Sequence, residues 1–336
     1  MVTMDAFRLT RSGRTLLAGG SVLAALALSP VSSQALAAKT TPNLKTATKY
    51  LTNKTNLLDG DHYGSADDAD IGLTIDGAFA LAASGTDNTA LTQMVDYVAA
   101  NGDSYDGVGT AYPSGGAIGK VALLAEAVHQ NPRDFGGANL ITALDATVCR
   151  ATSDSCPAVG AYEYGSSTFD QALGIMAQLR AGDSKNATSP IALLESQQEG
   201  SGAWPSLIPS SGDADPDSTG MAVMALALVG TKAASADEQK GIAWLASDQS
   251  KSGGWNGTSG ESINSAALAL MGLQLDGSTY ATEVARGEKF LAQNQNSGGG
   301  FRLTATGSKA SNLRASTQAV SGAVGTSFGA LDDPLS

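Results

Sequence analysis

Three aspartates crowd one short stretch of this chain. In "SGDADPDSTGMAVMALALVG", Asp213, Asp215 and Asp217 alternate with other residues and run into Ser218, Thr219 and a long apolar segment. Carboxylates at this spacing support three chemistries. Crowded like charges raise a carboxyl pKa, which is what a proton-donating acid needs. D-x-D-x-D also opens hard-cation loops, but an EF-hand requires Gly at its sixth position and Glu at its twelfth. Ser218 and Met224 stand there instead. An EF-hand is excluded, while a looser calcium loop on Asp213, Asp215 and Asp217 stays open. The third chemistry is structural, since acidic residues favour helix N-termini, where they oppose the positive end of the helix dipole. Pro216 between the carboxylates points to a rigid turn rather than a simple cap.

The remaining chemical inventory is small. Cys149 and Cys156 in "CRATSDSC" are the only cysteines, and His62 and His129 the only histidines. Two cysteines seven apart in a polar loop read as a local disulfide in an oxidising compartment. A zinc site needs two more ligands, and the histidines sit in other parts of the chain. No G-x-S-x-G elbow, phosphate loop or H-E-x-x-H occurs. No cofactor is expected.

The elements that must position these residues repeat. "KGIAWLASDQSKSGGW" (240–255) and "RGEKFLAQNQNSGGGF" (286–301) share one template: a base, Gly, two residues, an aromatic, Leu, three residues, Gln, three residues, Gly, one residue, an aromatic. "SPIALLESQQEGSGAW" keeps Leu193, Leu194, Gln198, Gly202 and Trp204 in register. Upstream the pattern fades to Gly-rich turns around Tyr63, Tyr112 and Tyr162, which gives six units of about 40 to 50 residues. Each unit carries an Ala-rich helix that is apolar nearly all round and therefore buried on most sides. Thr74, Ser114, Thr168, Thr219, Ser265 and Thr317 lie at or near the starts of these helices as N-cap or first-turn residues. The partner helices, such as "DEQKGIAWLASDQ", mix charge with apolar residues and face solvent. Six hairpins of one dry and one wet helix predict an all-α, (α/α)6 toroid, closed on itself so that it needs no end caps.

The template resembles the QW repeat of the prenyltransferase and squalene cyclase superfamily, clearly over Thr188 to Gly325 and only in rhythm before that. The resemblance implies that the repeat is scaffolding: Gln bonds backbone amides and the aromatic packs on the neighbouring unit. It also implies a candidate reaction. Class II terpene cyclases of this superfamily carry D-x-D-D-T at the start of an inner helix, and "DPDST" aligns Asp215 with the first Asp and Asp217 with the proton donor, with Ser218 in place of the third. Such cyclases use two helical domains and an aromatic-rich cavity, against one ring and 5% aromatics here. Glycosidases on similar rings oppose two carboxylates across the mouth, as Asp68 or Asp70 in "SADDADIG" could oppose Asp217. Protein prenyltransferase zinc sets and the "CGEQ" of thioester domains are absent. "DPDSTGMAVMALALVG", "INSAALALMGLQLDG" and "LRASTQAVSGAVG" look most like the helical domain of the cobalamin carriers and their secreted bacterial relatives, which are binding modules. Only "TSFGALDDPLS" follows the last helix, which argues against cobalamin itself.

Composition and address agree with a binding role. Residues 1–37 read as an export signal: Arg8, Arg11 and Arg14, the apolar run "LLAGGSVLAALAL", and Ala35-Leu36-Ala37 before the cleavage point. Residues 38–325 are then the toroid and 326–336 a short tail. The net charge of −12 repels nucleic-acid backbones and anionic membranes. The expectation is a secreted, non-catalytic module that holds a small molecule or an extracellular partner at the ring's mouth, without nucleic acid and without membrane insertion. The alternatives are a class II cyclase with Asp217 as donor and a glycan-acting enzyme. The residues expected at the mouth are Asp70, Tyr112, Tyr162, Tyr164, Asp215, Asp217 and Asn264.

Overall fold

Six apolar helices end up inside because their sequences leave them no polar face. In the computed structural model, which describes residues 39–65, 67–209 and 212–335, every residue of the helix Pro216–Leu226 is buried except Asp217. In Ile263–Leu273 the one residue left out is Asn264. The export-signal reading of residues 1–37 lies outside the described residues.

In chain order the helices are α1 (Leu44–Leu51), α2 (Ile71–Ser84), α3 (Asn88–Asn101), α4 (Asp103–Asp106), α5 (Gly115–Ala127), α6 (Leu140–Ala146), α7 (Thr168–Arg180), α8 (Ser184–Ser196), α9 (Pro216–Leu226), α10 (Lys232–Asp248), α11 (Ile263–Leu273), α12 (Ala281–Gln293) and α13 (Leu313–Val324). The inner ring runs α2, α5, α7, α9, α11, α13 and back to α2. Five outer helices follow their inner partners: α3, α6, α8, α10 and α12. The sixth outer place belongs to α1, which packs on α13 and α2, so the chain's two ends complete one unit. This is the (α/α)6 toroid that the repeats predict. Two short antiparallel hairpins, β1 (Gly64–Ser65) with β2 (Asp68–Ala69) and β3 (Trp255–Gly257) with β4 (Gly260–Ser262), lead into α2 and α11. They sit on the rim, and nothing in the residue pattern announces them.

The repeat works as a clamp between units. Trp204, Trp255 and Phe301 are fully buried. The indole nitrogens of Trp204 and Trp255 donate to the carbonyls of Leu194 and Leu245 at 2.7 and 2.8 Å. Each repeat Gln donates twice from Nε2: Gln198 to the carbonyls of Gly202 and Asp237, Gln249 to those of Gly253 and Glu283, and Gln295 to those of Gly299 and Asn43. The partners of these donations are therefore carbonyls, not the amides the family resemblance implies; Gln295 also accepts, from the N–H of Asn43. At Gly299 φ is +96°, and a Cβ there would stand 2.0 Å from the carbonyl oxygen of Thr46, so the turn demands glycine.

The hydroxyls at the starts of the inner helices serve this clamp more than they cap. The N-caps are Asp70, Ser114, Ser167, Asp215, Ser262 and Asn312. Of the expected set only Ser114 is one, and its side chain makes no cap hydrogen bond. Thr74 and Thr219 instead accept from the backbone N–H of the seam aromatics Tyr63 and Trp204, as Ser316 does from Phe301. Cys149 and Cys156 are bonded, and both are buried in a small cluster with Ala161.

The far end of the ring is closed by residues 326–335, which belong to the same compact unit as the helices. The Phe328 ring lies 5.1 Å from that of Phe79, and Leu331 is buried. Arg180 holds the segment by donating to the carbonyls of Gly329 and Leu331. The stretch read as a tail is a plug.

Candidate functional site: the ring's mouth

The mouth lies where the six inner helices begin, so their first amide groups face it. The few polar residues that escape burial towards the starts of these helices mark it out. Lys120 on α5, Asp170 on α7, Asp217 on α9, Asn264 on α11, and Arg314 and Gln318 on α13 are all less than fully buried within helices otherwise dry on nearly every side.

One half of the mouth is an ion-pair network. The Lys120 ammonium lies 2.6 Å from Asp76 and donates to the Gly72 carbonyl at 2.9 Å. Burial works against its charge, yet Asp76 and Tyr105 outweigh that and keep its pKa above the ordinary lysine value. Arg314 bridges Asp70 at 3.1 Å and Asp76 at 3.4 Å. The Tyr105 phenol is raised by burial, then by Asp76, Asp170 and Asp70, with Lys120 opposing them. A cavity of about 470 Å³ opens beside it, lined by Asp68, Asp70, Gly72, Ser104 and Tyr105. Asp70 is thus an N-cap, accepting from the Leu73 N–H at 2.8 Å, as well as a mouth residue.

The other half is under-satisfied. Asp215 caps α9, accepting from the N–H of Ser218 at 2.9 Å. Pro216 occupies the first helical turn, where a missing N–H costs nothing, so it is part of the cap and not an alternative to it. Asp217 is free of that duty: its Oδ1 is buried with no partner among the described residues. Burial, then the charge of Asp215, push its carboxyl up to about 6, while the Ser265 hydroxyl pulls the other way. Asn264 donates from Nδ2 to Gln318 at 2.6 Å, and its Oδ1 is likewise buried and unpartnered. Two neighbouring helices therefore each present an orphan oxygen from the second residue of the helix.

Of the residues expected at the mouth, Asp70, Asp215, Asp217 and Asn264 are at helix starts facing it. Tyr162 is not: it is fully buried, with its ring against Gly174 and its hydroxyl donating to Gln178 at 2.7 Å. Tyr112 and Tyr164 are exposed and meet edge to face at 5.9 Å. Asp213 is exposed. Among the described residues no three acidic, histidine or cysteine side chains converge to hold a metal, so the calcium reading of Asp213, Asp215 and Asp217 has no geometry behind it. Sequence reasoning missed Asp76, Lys120, Tyr105 and Arg314. A signal existed: a charge inside an otherwise apolar helix, as Lys120 in "GGAIGKVALLAEA", must find a partner or a use.

Comparison with known proteins bears on the whole ring. Residues 167–310 match the squalene-hopene cyclase C-terminal domain family. No curated protein sequence matches. Among solved structures, a variant of the type II terpene cyclase MstE from Scytonema, in complex with geranylgeranyl dihydroxybenzoate, superposes with TM-score 0.60 at 16% identity, covering 84% of this chain and 95% of that one. A glycosyl hydrolase family 88 protein from Bacteroides vulgatus gives 0.60 at 11% identity, over 84% and 97%. A possible member of the GH105 family from Salmonella enterica gives 0.59 at 12%, over 84% and 92%. At such identities the structures speak for the fold alone. The clamped Gln-Gly-Trp seams, the closed ring of six hairpins and the family match over residues 167–310 together support the prenyltransferase and squalene cyclase superfamily.

Proposed function

We propose that the protein is a non-catalytic binding module, working outside the cytoplasm, whose mouth holds a neutral polyhydroxylated ligand of the carbohydrate class. The observation that carries this is the pair of buried, unpartnered oxygens, Asp217 Oδ1 and Asn264 Oδ1, on adjacent inner helices. An orphan buried acceptor costs about 1–3 kcal/mol, so two together call for a ligand that brings donors. Neighbouring sugar hydroxyls bring them without charge. A neutral ligand also suits a mouth whose two cations, Lys120 and Arg314, are already matched by Asp76 and Asp70. The exposed Tyr112 and Tyr164 offer aromatic surface for the apolar face of a sugar ring.

The packing behind the mouth argues against the polyprenyl-cyclase alternative. A Cβ on Gly220 of α9 would stand 2.6 Å from the Leu268 carbonyl of α11, so these helices touch backbone to backbone. Phe328 fills the far end against Phe79. A polyprenyl chain needs a chamber between such helices. The bonded cysteines support an oxidising compartment. Among the described residues no helix is long and apolar enough to cross a membrane.

One observation favours a second reading: a carboxyl raised to about 6 by burial and by Asp215 is suited to give up a proton, as a class II cyclase acid does. Calorimetric titration with soluble neutral oligosaccharides of glucose, mannose and N-acetylglucosamine separates the two. Binding that weakens about tenfold or more in Asp217→Asn and Asn264→Ala, with no sugar cleaved, is the expected result. Cyclisation of a polyprenyl substrate that stops in Asp217→Asn would establish the cyclase instead.

A further inference from the structure

Besides Lys120, the one residue of α5 that escapes full burial is Glu126, at the end of the helix remote from the mouth. Its side chain is only 7% exposed, and both carboxylate oxygens are buried without a hydrogen-bond partner. The nearest cation does not satisfy it. Arg180 Nε stands 3.9 Å from Oε2, and the other nitrogens of Arg180 serve backbone carbonyls: Nη1 those of Gly329 and Leu331, Nη2 that of Glu126 itself. The arginine latches the C-terminal plug and leaves the carboxylate bare.

A cavity of about 370 Å³ lies over this carboxylate, lined by Glu126, His129, Gln130, Asn131, Arg133 and Arg180 among others. Arg133 is exposed and spends one nitrogen on the Ala181 carbonyl at 3.2 Å. His129 is paired with Asp332 of the plug. The charges select what can enter. A simple anion meets Glu126, and a simple cation meets two guanidinium groups. A small molecule carrying both signs a few ångströms apart meets a partner for each.

We propose that this pocket is a second binding site, distinct from the mouth, for a free α-amino acid or an equally small zwitterion, with the ammonium on Glu126 and the carboxylate on Arg133. The ammonium supplies the three donors that the orphan oxygens lack. The plug completes the site, because Arg180 and His129 are held where they are by residues 329–332. Burial raises the Glu126 carboxyl to about 8, against the pull of Arg180 and Arg133. His129, Asp332 and Asp333 also titrate at this end, and Asp183 interacts with the charge of Arg133. An ammonium ligand must displace the proton on Glu126, so affinity rises as pH climbs towards about 8.

The test is calorimetric titration of the full chain near pH 8 with the free protein amino acids at millimolar concentration, alongside ethylamine and propionate as cation-only and anion-only probes. Saturable binding is expected for at least one amino acid, with both single-charge probes weaker by about tenfold or more. Glu126→Gln and Arg133→Ala should each weaken binding about tenfold or more, while Asp217→Asn at the mouth leaves it unchanged. Arg133 is exposed, so its variant reports on binding even if Glu126→Gln perturbs folding. The proposal is overturned if no amino acid binds, if ethylamine or propionate binds as well as the zwitterion, or if Arg133→Ala binds like the parent.

Discussion

Gln295 and Asn43 are 252 positions apart in the chain and exchange two hydrogen bonds, Nε2 to the Asn43 carbonyl at 2.9 Å and the Asn43 N–H to Oε1 at 2.8 Å. Asn43 is the N-cap of α1, so this contact joins the last outer helix to the first and closes the ring. Gln198 and Gln249 make the equivalent donation to the next outer helix within the chain. Gln295 makes it across the ends.

Gln295→Met keeps the length of the side chain and removes its hydrogen bonds. The expected loss is about 1–3 kcal/mol, because the buried Gly299 carbonyl and the part-buried backbone groups of Asn43 lose their partners. Chemical denaturation measures the loss, and amide exchange in α1 should rise first, since the ring opens at that joint. Unchanged protection of α1 would show that its packing on α13 alone closes the ring.

Trp255 is fully buried, and its indole nitrogen holds the Leu245 carbonyl. Trp255→Ala should destabilise the ring by about 3–5 kcal/mol. A thermal melt that matches the parent would mean that the seam carries no weight.

Phe328 seals the ring opposite the mouth. Phe328→Ala should cost about 3–5 kcal/mol if the lumen cannot collapse. Denaturant titration reads this directly, and uptake of an apolar dye in the variant would report the opened lumen. A change below about 1 kcal/mol would show that residues 326–335 cover the ring without filling it.

Glu126 gives the stability of the protein a pH dependence of definite sign. Its carboxyl is raised from 4.5 to about 8 in the folded state. The folded protein therefore holds a proton that the unfolded chain has already lost, and stability falls as pH rises through that window. Above about pH 8, Glu126→Gln should exceed the parent by a few kcal/mol in the absence of ligand, whereas below about pH 4.5 the difference should vanish. Unfolding free energies measured across that range decide it. Parallel curves for the two proteins would place Glu126 in contact with water.

Much of the scaffold was legible because its determinants are local. The Gln, Gly and aromatic of one repeat lie within about ten residues of each other, so the motif shows the left-handed turn at Gly253 or Gly299, although the backbone that excludes a Cβ there belongs to Arg286 and Thr46 of the next unit. The Ala-rich segments read as buried helices because period and composition are properties of ten consecutive residues. Cys149 and Cys156 lie seven apart, close enough for spacing alone to suggest their bond.

The mouth was legible only in part. Tyr112 and Tyr162 stand in similar Gly-rich turns, yet one is exposed and the other is fully buried, because Gly174 and Gly115 make room for the Tyr162 ring. Asp215 and Asp217 looked like one acidic cluster; helix geometry gives Asp215 to the Ser218 N–H and leaves Asp217 without a partner for Oδ1.

The amino-acid sequence by itself determined the repeat, the two kinds of helix, the six-fold ring and the acidic start of α9. Only the tertiary structure decided that Arg314 meets Asp76 across 238 positions, that α1 supplies the sixth outer helix, that residues 326–335 plug the ring, and that Asp217, Asn264 and Glu126 keep oxygens without partners. The physical reason is the same in each case. Desolvation and pairing depend on which distant helices come to lie beside a residue, and local pattern carries no record of that.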